Sequence, residues 1–345
     1  MKLTFKTIAT LFFVGILLTG TTAFAEEKTK EYHESWKASS IESLWISNKF
    51  GKVKVKNDGS SEITIDVVIT VEARNEKKAN ELLEEIDIVF NRNGTVLKAA
   101  TKISNQFKCR QKFSIDYVIN IPENKNLKIS NKYGNTIINK LTGNGDFDIQ
   151  YGNFTANELT GEKIRIALAY GNSTVGTAGD LTVQVKYSPM NFDEVKNLKL
   201  QSKYSDITVG EANDIFVESK YDKLTFEKVE TVKAATKYSH LRIEELTKSL
   251  KIDAGYGSVK VDEIARDFEE ISVTNSYGQI SLGLYNTSYS IVASCNYCGI
   301  SYPENKFTGD KIKENNTRRI DGKVGQEEGG KVKIESRYGD IKLRD

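Results

Sequence analysis

Several residue types are scarce in this 345-residue sequence, and each scarcity excludes a class of protein. Three cysteines are too few for the disulfide framework of a secreted scaffold. Two histidines, His33 and His240, leave little material for a metal centre or a histidine-based nucleophile, so we expect no cofactor and no bound metal. The net charge is only +2, with 49 basic and 47 acidic residues, so nothing favours binding to nucleic acid.

The first 25 residues have the layout of a secretory signal peptide. A positively charged start and an apolar run at residues 8–18 are followed by Ala23-Phe24-Ala25, which is the pattern of a signal cleaved after Ala25. An uncleaved anchor is the alternative, but the run is short for a membrane span of about 20 residues. We therefore expect an exported protein in the periplasm, at the cell surface or secreted, with no transmembrane segment after cleavage.

An aromatic residue returns at regular intervals through most of the chain. From residue 133 to 297 the steps between the tyrosines measure 17 to 21 residues. The series is Tyr133, Tyr151, Tyr170, Tyr187, Tyr204, Tyr221, Tyr238, Tyr256, Tyr277 and Tyr297. Such periodicity is typical of repeat proteins, in which one unit cannot bury its apolar face without its neighbours.

Each unit consists of two short alternating segments that meet at the tyrosine. In the unit around Tyr204, Leu198 and Leu200 precede the tyrosine, and Ile207 and Val209 follow it. Period-two alternation predicts strands with one buried face, and the odd step across the tyrosine predicts a corner. About 17 residues are too few for a βαβ crossover. The predicted fold is therefore all-β: a single-chain β-solenoid, or β-helix, with rungs of roughly 17 to 21 residues.

In the alternating pattern, the tyrosines fall on the same positions as the aliphatic residues that face the interior. This parity predicts that they stack as an internal structural ladder at the corner. The ladder is assigned to Tyr187, Tyr204, Tyr221, Tyr238 and Tyr256. The alternative is an exposed aromatic platform for sugars or bases.

The repeat phrase also occurs near both ends of the chain, which divides the sequence into three parts. We expect a signal peptide at residues 1–25, a first rung with an α+β cap at 26–120, and the β-solenoid repeat domain at 121–345. Such a cap would protect the open edge of the first rungs from end-to-end association. The stretch from Pro303 to Gly330 breaks the period before the last rung.

The cap is predicted to contain one amphipathic helix and one hairpin. The helix is indicated by apolar residues at helical spacing, namely Ala79, Leu82, Leu83 and Ile86. Asn93-Gly94, between two apolar segments, is a hairpin signal.

Recurrent "KYG" and "YGD" turns, the ending "GKVGQEEGGKVKIESRYGDIKL" and the secretory leader together resemble a known family. It is the group of bacterial "putative adhesin" domains of unknown function, related to the head domains of autotransporter adhesins. The resemblance covers about residues 40–345. It implies a right-handed β-solenoid with an envelope or surface role, and it carries over no catalytic or binding residues.

A lysine recurs immediately before several of the tyrosines, with outward parity. These residues are Lys186, Lys203, Lys220 and Lys237. On neighbouring rungs they would line one outer face, where they could bind an anionic glycan or a lipopolysaccharide phosphate. The alternative is a solvated face that resists aggregation.

The cysteines offer little chemistry. Cys295 and Cys298 form a C-x-x-C motif, but no helix follows to lower a thiol pKa, so we expect a local disulfide or two free thiols. Cys109 stands alone, and the sequence does not indicate a partner for it.

These observations favour an exported, non-enzymatic β-solenoid that acts as a cell-envelope or surface binding module, as an adhesin does. Its partner would be a glycan or an envelope or surface protein. Two alternatives remain open: a periplasmic scaffold or sensor, and a polysaccharide-acting enzyme on a β-helix. The enzyme would need carboxylates or basic groups clustered on neighbouring rungs, and the sequence shows no such cluster beyond the four lysines.

Overall fold

The structure is a computed structural model that describes residues 26–345. The predicted signal peptide, residues 1–25, lies outside the described residues. The N-terminal elements are β1 (Glu26–Lys37), a 3-10 turn (Ala38–Ser40), β2 (Ser43–Lys49), β3 (Val53–Lys56), β4 (Glu62–Ala73), α1 (Glu76–Glu84), β5 (Ile86–Asn93), β6 (Val96–Ile103) and β7 (Phe113–Asn120).

Strands make up nearly all of the remaining regular structure. The central strands are β8 (Asn126–Lys132), β9 (Thr136–Leu141), β10 (Gly145–Gln150), β11 (Phe154–Leu159), β12 (Ile164–Ala169), β13 (Ser173–Lys186), β14 (Met190–Lys203), β15 (Asp206–Lys220), β16 (Lys223–Lys237), β17 (His240–Gly255), β18 (Val259–Ile264), β19 (Glu270–Ser276) and β20 (Ile280–Gly283). The C-terminal elements are β21 (Tyr289–Asn296), β22 (Ile300–Ser301), a 3-10 turn (Glu304–Lys306), β23 (Phe307–Glu314), β24 (Thr317–Val324), β25 (Gly330–Arg337) and β26 (Ile341–Arg344).

Parallel, in-register pairing of successive units builds the body of the molecule. Each unit has a leading arm before its corner aromatic and a trailing arm after it; in the Tyr204 unit these are residues 198–203 and 207–212. Strands β13 to β17 are 14 to 16 residues long, because each continues from a trailing arm through a bend into the next leading arm. The predicted all-β solenoid is confirmed.

Alternate residues of the two arms meet inside the solenoid. Leu200 and Val209 from the Tyr204 unit are at most 1% exposed, and large rings such as Phe192 and Phe226 fill the interior of neighbouring units. Burying one such side chain stabilises the fold by roughly 1.5–3 kcal/mol. Because every unit shares these contacts with the units above and below, the core is continuous along the stack.

Antiparallel strands cover the N-terminal end of the stack. Strands β6 and β7 pair in parallel with β2 and β3, as an outer rung would. Strands β5 and β4 then pair antiparallel with β6 and β7, and β1 pairs antiparallel with β4. The β5–β6 hairpin turns at the predicted position, where Gly94 has a φ of 60°.

Helix α1, the one α-helix within residues 26–345, packs in this cap. The Asn75 side chain caps it by accepting a hydrogen bond from the Lys78 N–H at 2.9 Å. Its buried residues are Ala79, Leu82 and Leu83. The predicted amphipathic helix is confirmed, but it ends at Glu84, and Ile86 begins β5 instead.

The last rung of the chain is not the last rung of the stack. Strand β25 pairs with β19 on one side and with β21 on the other, and β26 lies between β20 and β22. The irregular stretch contains the β23–β24 hairpin, whose strand β24 pairs antiparallel with the outer edge of β21. The Tyr338 unit is therefore the last in the sequence but lies one place inward from the end of the stack.

Each corner aromatic is itself the turning residue. The φ angles of Phe50, of Tyr338 and of the ten tyrosines in the series from Tyr133 to Tyr297 are 51° to 65°. These values lie in the left-handed region, which residues with a Cβ rarely adopt. The predicted internal position is wrong for Tyr187, Tyr204, Tyr221, Tyr238 and Tyr256, whose side chains are 41–52% exposed. The parity argument fails because strand geometry ends one residue earlier, and the left-handed backbone turns the ring outward.

Candidate functional site

The corner aromatics form one continuous stack on the outside of the molecule, which we call the aromatic ladder. In the order of the stack it consists of Phe50, Tyr133, Tyr151, Tyr170, Tyr187, Tyr204, Tyr221, Tyr238, Tyr256, Tyr277, Tyr338 and Tyr297. Adjacent ring centroids are 4.8–5.1 Å apart, and adjacent ring planes differ by 2° to 17°. The spacing matches the strand separation of about 4.8 Å, so the backbone register sets it.

Stacking determines which part of each ring a ligand can reach. Both faces of every inner ring contact another ring, while the tyrosine side chains remain 41–58% exposed. The accessible part is therefore the outer edge with its hydroxyl group. A platform for sugars or bases needs free ring faces, and the inner rings of the ladder do not offer them.

The four predicted lysines lie side by side next to this ladder. Lys186 pairs with Lys203, Lys203 with Lys220, and Lys220 with Lys237, and all four are exposed. We call these four residues the lysine column. Their backbones are about 4.8 Å apart from one strand to the next.

The lysine column has no carboxylate partner of its own. Within residues 26–345 none of its four ammonium groups forms a salt bridge. The nearby Glu218 carboxylate instead accepts a hydrogen bond from the Gln201 amide at 3.2 Å. The Lys220 ammonium lies 5.2 Å from the centroid of the Tyr221 ring, close enough to be attracted to its π-electrons. The positive charge of the column is thus available to a ligand.

Three of the four lysines border a shallow concavity of about 580 Å³. Lys203, Lys220 and Lys237 line it together with Tyr256 and Tyr277 of the aromatic ladder. It opens there because the next positions of the same column have little or no side chain: Gly255 follows Lys237 in register, and Ser276 follows Gly255. Lys186 lies outside this concavity, one rung further along the column.

Three more cations belong to the same outward column, and the sequence analysis missed them. Lys49 pairs in register with Lys132 near the N-terminal end, and Arg337 pairs with Ser276 near the C-terminal end. The sequence indicates these cations in the tripeptides "NKF", "NKY" and "SRY", each of which has a basic residue immediately before the corner aromatic.

Cys295 and Cys298 are joined by a disulfide across the corner of the outermost rung. Cys295 is fully buried and pairs in register with Ser336, so it occupies a core position of the leading arm. Cys109 is a free, half-buried thiol in the cap. The disulfide therefore links core to corner within one rung.

The Asp262 carboxyl is held by two cations. Burial opposes ionisation of Asp262, but hydrogen bonds from Lys260 at 2.6 Å and Arg242 at 2.8 Å outweigh it and lower the pKa of this carboxyl. A glycosidase acid needs the opposite shift. In the part of the chain that the structure describes, no group of three or more His, Cys, Asp or Glu side chains is placed to hold a metal ion.

None of the helical structure within residues 26–345 is long and apolar enough to cross a membrane.

Solved structures with a similar arrangement include three bacterial proteins. A "putative adhesin" from Parabacteroides merdae is 14% identical with a TM-score of 0.39, and the match covers 89% of this chain and 96% of that one. A "putative lipid binding protein" from Parabacteroides distasonis is 15% identical with a TM-score of 0.36, covering 73% and 96%. A "putative cell adhesion protein" from Clostridium sporogenes is 13% identical with a TM-score of 0.25, covering 92% and 99%. These values are too low to carry an argument about function.

No curated protein matches the sequence significantly. The family comparison is decisive, because the model of the Toastrack DUF4097 family matches residues 41–344, which include every rung of the solenoid. The chain therefore belongs to the Toastrack DUF4097 family.

Proposed function

We propose that this protein is an exported, non-enzymatic binding module of the cell envelope or cell surface, and that it holds an extended anionic glycan along the lysine column. The observation that carries the proposal is the set of four in-register lysines without salt bridges. Like charges on neighbouring strands repel one another, and an anionic polymer would relieve that repulsion. Its charge would also gain hydrogen bonds from ammonium groups, which are stronger than those between neutral groups.

The aromatic ladder supports this proposal through its hydroxyl groups. Each tyrosine directly follows the column position in sequence, so a row of phenolic hydroxyls runs beside the row of ammonium groups. Both rows repeat with the strand spacing of about 4.8 Å. A polymer with regularly spaced acidic groups and hydroxyls would meet donors along its whole length, whereas a small anion would use only one or two of them.

The binding test compares two variants that remove the same charge from different faces. The first changes Lys186, Lys203, Lys220 and Lys237 to Gln. The matched control changes Lys223, Lys228, Lys260 and Lys342 to Gln, all of which are exposed and lie on trailing arms. The probes are immobilised heparin, polygalacturonate and lipopolysaccharide, with dextran as the uncharged reference.

We expect the first variant to lose affinity for at least one anionic probe by about ten-fold or more, because several charge-assisted hydrogen bonds disappear. The control should retain most of its affinity. Equal losses in both variants would show attraction to net charge alone, and unchanged binding in the first variant would refute the site.

A gain-of-function variant tests the same site in the other direction. Gly255 follows Lys237 in the column, and a Cβ there would meet no atom within 4 Å. Gly255→Lys therefore extends the column by one cation and should strengthen binding to the anionic probe. An affinity no higher than that of the unsubstituted protein would contradict the proposal.

The location is tested separately by protease treatment of intact cells. An epitope inserted at residues 326–329, an exposed loop between β24 and β25, should be removed from intact cells if the protein lies at the surface. Protection until lysis would refute a surface location and favour an envelope component inside the cell boundary.

A further inference from the structure

A second, larger concavity of about 1120 Å³ lies on the leading arms of the N-terminal half. It runs from Trp45 in the Phe50 unit to Phe216 in the Tyr221 unit, and we call it the aromatic-ended groove. In-register pairing aligns one residue per rung along it, five positions before each corner aromatic: Trp45, Lys128, Asp146, Arg165, Thr182, Lys199 and Phe216. Six strand spacings of about 4.8 Å separate its two ends, or roughly 29 Å.

Each end of the groove presents an exposed aromatic ring. Trp45 is 40% exposed and Phe216 is 52% exposed. The Lys98 ammonium lies 4.1 Å from the Trp45 ring centroid, and the Lys233 ammonium lies 5.1 Å from that of Phe216. Lys98 comes from the strand beyond the Trp45 end of the groove, so it covers the ring face that points away from it. Lys233 comes from the strand next to Phe216 and itself lines the concavity.

The groove-side face of the Trp45 ring is less occupied than its outer face. Lys128, on the groove side of Trp45, lies further away, at 5.8 Å from the ring centroid. Its ammonium is held instead by the Asp146 carboxylate at 2.7 Å. Unlike the inner rings of the aromatic ladder, neither Trp45 nor Phe216 stacks on another ring within residues 26–345, so each can offer a face to a ligand.

Charged groups of both signs lie between the rings. Asp146 lies between Lys128 and Arg165, which contact it at 2.7 Å and 2.9 Å. Burial opposes ionisation of Asp146, but these two cations outweigh it and lower the pKa of its carboxyl. Further along, the Asn197 amide donates a hydrogen bond to the Asp180 carboxylate at 2.7 Å. The groove thus combines hydrogen-bond donors with acceptors, in contrast to the lysine column, which has donors only.

We propose that the aromatic-ended groove binds an uncharged, extended oligosaccharide. Sugar rings would pack against Trp45 and Phe216, and hydroxyl groups, which both donate and accept, would suit the alternating donors and acceptors between them. An anionic chain would meet carboxylates as well as cations along the groove, so the groove suits it less than the lysine column does. The length of the groove fits an oligomer better than a single sugar. This site is separate from the lysine column, and its test does not depend on that column.

The test uses Trp45 as its own reporter. The sequence contains two tryptophans, so Trp36→Phe leaves Trp45 as the single fluorescent indole. This protein is titrated with uncharged hexasaccharides of β-1,4-glucose, β-1,3-glucose, α-1,4-glucose and β-1,4-mannose, by fluorescence and by calorimetry. We expect at least one of them to change the Trp45 emission at saturable concentrations.

The variants separate this site from the other surfaces. Phe216→Ala should weaken that binding about five- to ten-fold through loss of one aromatic contact. Ile312→Ala, which removes an apolar side chain that is 44% exposed on β23, should leave it unchanged. The four-lysine variant should also bind normally, whatever its effect on anionic glycans.

Three results would overturn the proposal. The first is that none of the four hexasaccharides binds, and the second is that binding is equal in Phe216→Ala and the unsubstituted protein. The third is a Trp45 response to phosphatidylcholine vesicles and not to the sugars, which would assign the groove to lipid instead.

Discussion

The left-handed backbone conformation of the corner residues leads to a prediction about substitutions of Tyr204. Its ring stacks on Tyr187 at 4.8 Å and on Tyr221 at 4.9 Å, while its own φ is 54°. Replacement by alanine removes both stacking contacts and keeps a Cβ in the left-handed region. Replacement by glycine removes the same contacts but also relieves the strain, because glycine adopts positive φ readily.

The magnitudes follow from these two terms. Two stacking contacts at about 0.5–1.5 kcal/mol each predict that Tyr204→Ala lowers the free energy of unfolding by about 1–3 kcal/mol. Left-handed strain of about 1–2 kcal/mol favours glycine, and the greater flexibility of glycine in the unfolded chain offsets about 0.4–1 kcal/mol of this. Tyr204→Gly should therefore be more stable than Tyr204→Ala by roughly 0.5–1 kcal/mol.

Urea unfolding followed by circular dichroism measures this difference. Tyr285 supplies the control, because it is 38% exposed, lies outside the aromatic ladder and does not have a positive φ. At Tyr285 the order should reverse, with glycine less stable than alanine by about 0.5–1 kcal/mol. If the Tyr204→Ala protein is as stable as the Tyr204→Gly protein, the backbone strain at the corner is absent and the reasoning is refuted.

Two further predictions concern single residues. The hydrogen bond to Asp66 raises the pKa of His33 above its ordinary 6.5. The contribution of this pair to stability is therefore full below about pH 6.5 and is lost as the pH rises through the raised pKa. Proton NMR should show the elevated pKa of His33, and Asp66→Asn should abolish the elevation. A Cβ on Gly134 would lie 1.8 Å from the Gly51 carbonyl oxygen, so Gly134→Ala should lower the free energy of unfolding by roughly 3 kcal/mol. A Cβ on Gly255 would meet no atom within 4 Å, so Gly255→Ala should change it by less than about 0.5 kcal/mol. Urea unfolding measures both.

The sequence predicted what depends on local periodicity. The alternation around Tyr204 predicted the two arms of a rung, and the regular tyrosine steps predicted a stack of rungs. The spacing of the apolar residues from 79 to 86 predicted the helix. Each of these features is encoded within about 20 residues of sequence, which is the range over which side-chain parity and helical periodicity act.

The features that were missed depend on backbone conformation or on pairing between distant segments. Strand parity cannot place Tyr204, because the residue itself leaves the strand conformation. Trp45 and Phe216 are 171 residues apart in the chain, and only the register of the intervening rungs brings them to the two ends of one groove. Aligning the repeats on the corner aromatic and comparing the fifth residue before it would have revealed this alignment.

The insertion of β25 between β19 and β21 has a consequence for how the chain reaches its final state. A chain that emerges from its N-terminus can add rungs one after another up to the Tyr277 unit, since each pairs with a strand already present. The Tyr297 unit cannot follow in the same way, because its native neighbour is made of residues 330–344, which emerge after it. Completion of the stack therefore waits for residues 330–344, and a chain that lacks residues 330–345 would leave the edges of both β19 and β21 without their parallel partner.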